Sequence, residues 1–146
     1  MSKQCEKHIE LQVELAHDLG CCDDYNQLVI NKGNHHQDFD KLDGQDQVHT
    51  ITWILSGNAS SGVFCELDSL TGPGFQWLVR KPGEKVFEGL KVDGKKLTVR
   101  NHHHDKSSEG RWYYQLFARF GRHVYGVPLT FTSGPASSPN PSIKNN

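Results

Sequence analysis

From Gly110 to Phe131 the chain reads GRWYYQLFARFGRHVYGVPLTF, and dividing it at Gly121-Arg122 leaves two alternating arms. Trp112, Tyr114, Leu116, Ala118 and Phe120 fall in phase on the first arm, and His123, Tyr125, Val127, Leu129 and Phe131 on the second. A Gly-X pair suits a tight hairpin turn of type II′, because glycine takes the positive φ that the first turn position needs. Counting outward pairs Phe120 with His123, Ala118 with Tyr125, Leu116 with Val127, Tyr114 with Leu129 and Trp112 with Phe131. All then face one side, and since a one-residue slip would send the whole set to the other face, turn and period together fix the register. Pro128 falls opposite Gln115 at a non-hydrogen-bonded position, which marks the second arm as a sheet edge there.

The same two-residue period recurs upstream. His8 to Ala16 sets Ile9, Leu11, Val13 and Leu15 against Glu10, Gln12 and Glu14, and VHTITWIL points Ile51, Trp53 and Leu55 inward with His49 at its entrance. Shorter candidates are QLVIN, GVFCEL and FQWLV, the last two separated by Thr71-Gly72-Pro73-Gly74. Val86 to Val92 and Lys96 to Asn101 flank Asp93-Gly94, a hairpin signal. Asn34 to Gln47 (NHHQDFDKLDGQDQ) and Asn101 to Glu109 (NHHHDKSSE) read as polar loops, and the aspartates of the first lack the spacing of a calcium loop. Eight or nine short strands without a helical period predict an all-β fold: a single antiparallel β-sandwich of about eight strands over residues 1–132, cupredoxin-like or immunoglobulin-like. Residues 133–146, rich in Pro, Ser and Asn, are expected to be an extended or mobile C-terminal tail.

Composition narrows the function. The 146 residues carry 16 basic and 17 acidic side chains, a net charge of −1, so no overall field draws nucleic acid or an anionic membrane, and neither is expected as a partner. No apolar run has the length of a membrane span, and MSKQCEKHIELQ lacks the apolar core of a secretory signal, so the expected location is cytoplasmic. In that setting Cys5, Cys21, Cys22 and Cys65 are expected as reduced thiols.

The order of elements resembles the cupredoxin-like sandwich. The likeness rests on an early strand pair closing on N-K-G, a strand ending in T-x-W, an Asn-containing loop, and the late G-x-W-Y-Y-x-L arm, and runs from about Leu28 to Phe131. In that family two His, a Cys and often a Met hold one copper ion, a soft-ligand set that suits the metal. Here LSGNASSGVF after Trp53 holds no His, Leu116 occupies the Cys position, and Arg119 or Phe120 stands where the second His would fall. The resemblance therefore implies the scaffold without that copper centre, and no cofactor is expected. The ending S-S-P-N-P-S-I-K-N-N is also similar to the D-P-x-I-x-N ending of small uncharacterised bacterial proteins called the DP-EP family, with Asn140 where that family has Asp.

Candidate functional residues lie on the other face of the opening arm. Arg111, Tyr113, Phe117 and Arg119 alternate with the core set, and aromatic plus Arg is the composition of contact surfaces. The expectation is a non-catalytic binding module whose partner is a protein, a small ligand or a second copy of the chain. The alternative is a copper or zinc site of non-standard kind drawn from His49, His102, His103, His104 and His123. A further alternative is carbohydrate recognition by Trp77. No nucleophile motif such as G-x-S-x-G is present, so no enzyme is expected.

Overall fold

The computed structural model describes residues 6–70, 72–128 and 140–146. Among them are eleven strands: β1 (His8–Leu15), β2 (Leu28–Ile30), β3 (His36–Phe39), β4 (His49–Leu55), β5 (Val63–Phe64), β6 (Phe75–Leu78), β7 (Phe87–Asp93), β8 (Lys96–Asn101), β9 (Gly110–Phe120), β10 (His123–Gly126) and β11 (Ser142–Asn145). One sheet runs β2-β1-β4-β8-β7, and the other is built around β9. Inward side chains of both, among them Val13, Ile51, Trp53 and Leu97 from the first and Phe39, Phe75, Tyr114, Leu116 and Ile143 from the second, form one apolar core. An aromatic cluster joins the two layers: Phe75 stacks on Tyr114 at 5.3 Å between centroids, and Trp53 meets Tyr114 edge-on at 5.2 Å.

The hairpin forms with the expected register at its tip, where Phe120 pairs with His123 and Ala118 with Tyr125. Gly121 has φ +63°, the value the turn requires. Trp112, Tyr114, Leu116, Ala118, Phe120, Tyr125 and Val127 are buried, as the alternation predicts, whereas His123 is exposed at the turn. Past Gly126 the ladder stops. Val127 is then held by the Gln115 side chain, whose Oε1 accepts its N–H and whose Nε2 donates to its carbonyl, both at 2.8 Å. Leu129 and Phe131, with the pairings expected of them, lie outside the described residues, as do Cys5 and Thr71.

Four expectations need correction. The sheets are mixed, not antiparallel throughout: β1 runs parallel to β4, from His8↔Thr50 to Val13↔Leu55, and β11 runs parallel to β3. Neither parallel pair is joined by a short turn, so turn signals could not announce it. Secondly, part of the segment read as a loop, His36–Phe39, is a strand, and it anchors to the core through Phe39. Thirdly, Ser142–Asn145, within the stretch set apart as a tail, lies between β9 and β3 and buries Ile143 and Asn145. The second hairpin also turns one residue later than Asp93-Gly94 suggested, since Asp93 still pairs with Lys96.

Candidate binding face and histidine cleft

The central strand β9 has neighbours on both edges. Tyr113 pairs with Ser142 of β11 on one edge and with Leu78 of β6 on the other, while Arg119 pairs with Val124 of β10 and Val63 of β5. Directly opposed residues share a face. The outer face therefore carries Arg111, Tyr113, Phe117 and Arg119 in a row, with Leu78, Ser142 and Val124 beside them. Gln115, the middle member of the row, is buried and spent on Val127 and on the Leu116 N–H.

Each candidate has its own support. Arg111 Nη1 donates to Ser142 Oγ at 2.9 Å, and that hydroxyl also meets His36 Nδ1 at 2.7 Å. This Ser-His contact is no nucleophile pair, because Ser142 is fully buried and its oxygen has no open approach. The half-buried Phe117 ring rests on two glycines. A Cβ at Gly126 would stand 2.7 Å from it, and one at Gly72 2.9 Å. Arg119 is exposed and opens on a groove of about 620 Å³ between Phe64, Leu67, Leu90 and Val92. Trp77 is turned to the inner face opposite Tyr114, packed at 4.8 Å from Phe75 and 4.7 Å from Phe87.

The histidines separate into three groups. His49 is buried at the start of β4. Its Nδ1 accepts the Lys7 N–H at 3.0 Å, so the proton sits on Nε2, which donates to the Asp40 carbonyl at 2.8 Å. His103 is also buried, with Nε2 donating to the Asn146 carbonyl at 2.5 Å and Nδ1 facing Ser108 Oγ at 2.7 Å. Burial pushes both imidazoles below their usual basicity. All four ring nitrogens of this pair thus have hydrogen-bond partners, and none is left for a metal.

His123 stacks on Tyr125 beside the β9–β10 turn. His103 sits at the other end of β9, next to Ser108, and ten strand steps separate the ends by about 33 Å. His123 therefore shares no site with the 102–104 run.

His102 and His104 differ from both. They flank a cleft of about 610 Å³ whose walls include Glu84, Lys85, Glu88 and Asp105. His102 Nε2 and both nitrogens of His104 are buried without a hydrogen-bond partner. Burial lowers the basicity of His102, with Glu88 acting in the opposite sense. The segment is not the free polar loop expected from NHHHDKSSE. Asp105 caps the turn Lys106–Ser108, accepting from Ser107 N at 2.9 Å, and His103 and Ser108 anchor it inside. Sequence reasoning placed Asp105 beside the histidines but missed Glu84 and Glu88, which come from a separate stretch of chain. The usable signal was the His-x-His spacing, and a tight turn at His103, in which His104 N–H donates to the His102 carbonyl, brings both rings to the cleft.

Comparison with protein-family models, with curated proteins and with solved structures yields no match.

Proposed function

We propose that the protein is a non-catalytic binding module that engages its partner through the outer face of β9, with Tyr113 and Phe117 as anchors and Arg111 and Arg119 at the flanks. The observation that carries this reading is the seat of Phe117: a part-exposed ring resting on Gly72 and Gly126, where any Cβ would displace it. An aromatic side chain already fixed in place loses little entropy on binding, which is the property of interface anchors. The groove beside Arg119 lies within the size range of small-ligand and peptide-side-chain pockets, about 300–1,000 Å³. In this reading the scaffold is a cupredoxin-like sandwich that lacks the copper centre, consistent with Leu116 being wholly buried at the position the family gives to Cys. The partner is a protein segment or a small ligand, and a second copy of the chain is the first case to measure. Sedimentation equilibrium on the wild type and on Tyr113→Ala/Phe117→Ala tests self-association, and an interaction screen tests the other partners. If neither oligomeric state nor any detected binding event changes in the double variant, the proposal fails.

A further inference from the structure

Independently of the β9 face, we propose that His102 and His104 form a two-imidazole chelate for a divalent transition-metal ion of the zinc or copper class, completed by Glu88. The backbone sets the pair up. His104 N–H donates to the His102 carbonyl at 3.1 Å, and the two rings lie 6.1 Å apart between centroids at 31°. His103, between them, is anchored to Ser108 and Asn146. Anchoring the middle residue fixes its neighbours without using their nitrogens.

Three observations point to an occupant. Buried polar atoms without partners are rare in folded proteins, yet three imidazole nitrogens here have none. His102 Nε2 stands 3.7 Å from Glu88 Oε1, too far for a hydrogen bond. Two ligand atoms bonded at about 2.0–2.2 Å to one tetrahedral ion sit roughly 3.4 Å apart, close to that separation. The lining is also biased toward a cation, since Glu84, Glu88 and Asp105 face the cleft against Lys85. Imidazole with carboxylate is a donor set that suits zinc and copper(II) rather than magnesium or calcium.

Among the described residues no three His, Cys, Asp or Glu side chains already surround a common point. The site is thus an open, exchangeable chelate, in contrast to the closed four-ligand cage of a structural zinc. Binding draws the Glu88 carboxylate inward, and solvent supplies the remaining ligand.

The test is calorimetric titration of zinc(II), and separately copper(II), into the untagged chain carrying Cys5→Ser, Cys21→Ser and Cys22→Ser, so that the buried Cys65 is the one thiol left. The expected result is one ion per chain. His102→Gln/His104→Gln weakens binding at least about ten-fold, and Glu88→Gln weakens it by a smaller factor. His123→Ala leaves it unchanged. Near-UV circular dichroism identical to the parent's verifies that the glutamine variant is folded, and Glu88 is exposed, so its replacement reads binding without a fold change. Binding weaker than about 10 µM in the parent, or equal affinity in the parent and in both variants, overturns the proposal.

Discussion

Trp53, on the first sheet, donates its indole N–H to the phenol oxygen of Tyr114, on the second, at 3.1 Å in the fully buried core. The bond satisfies two polar atoms that burial would otherwise penalise, and it fixes how the two layers sit. Tyr114→Phe keeps the ring but leaves the Trp53 N–H unpaired, at a cost of about 1–2 kcal/mol. Thermal unfolding of the variant should begin several degrees below the wild type. Burial also pushes the Tyr114 phenol up, so alkaline difference spectra should show Tyr114 ionising only as the chain unfolds.

The inserted strand β11 is held by an amide pair. Asn101 Nδ2 donates to Asn145 Oδ1 at 2.8 Å, Asn145 Nδ2 returns the bond at 3.1 Å, and it also reaches the Ser108 carbonyl at 2.8 Å. Removing one partner strands the other inside the protein. Asn145→Ala is expected to cost about 2–3 kcal/mol in urea unfolding. Adding Asn101→Ala should cost less than the sum of the two single changes, because the shared bonds are lost only once.

Two buried histidines make stability depend on acid. The folded state holds His49 and His103 below the ordinary value of 6.5, so in that range the unfolded chain binds more protons than the native one. Their stabilising effect is complete above pH 6.5 and is lost as pH falls below it toward their lower folded values. The expected slope is at most about 1.4 kcal/mol per pH unit for each histidine. Urea midpoints taken from neutral to mildly acid pH should fall, and His49→Gln should flatten the curve. A wild-type midpoint independent of pH across that interval would contradict the assignment.

Val79 ends β6 at φ +67° with 90% of its surface exposed, and Arg80 N–H bonds back to the Leu78 carbonyl at 2.6 Å. This is a γ-turn of the strained, positive-φ kind on a β-branched residue. The turn directs Arg80 over the Trp112 ring at 4.4 Å. Val79→Gly removes the clash and sacrifices no packing, so chemical denaturation should find it as stable as the wild type or more stable by about 1 kcal/mol. A clear loss would contradict the assignment of strain to this turn.

What the sequence disclosed follows from where the information lies. The β9–β10 tip was legible because turn and alternation agree within one local stretch, and β1 and β4 because each repeats its period over several residues. The pairing of β3 with β11 was not. HQDF and SIKN hold one apolar anchor each, Phe39 and Ile143, and His36 meets Ser142 across 106 residues of chain. Neither segment specifies a strand alone, and each becomes one by adding to the other. The histidines show the same limit: NHHHD reads as solvated, yet His103 is buried because Ser108 and Asn146 converge on it. The Arg111 to Arg119 row was legible by phase alone, whereas its glycine support from Gly72 and Gly126 needed the fold.

The binding face is tested most directly by selecting a displayed peptide library against the folded chain and measuring each selected peptide on the wild type, Tyr113→Ala and Phe117→Ala. Phe117→Ala also uncovers Gly126, so its fold is checked by unfolding in parallel. The account predicts that selected peptides lose at least about ten-fold in affinity on Tyr113→Ala, with Phe117→Ala showing the same loss while still folded. Peptides that bind wild type and both variants equally well would contradict it.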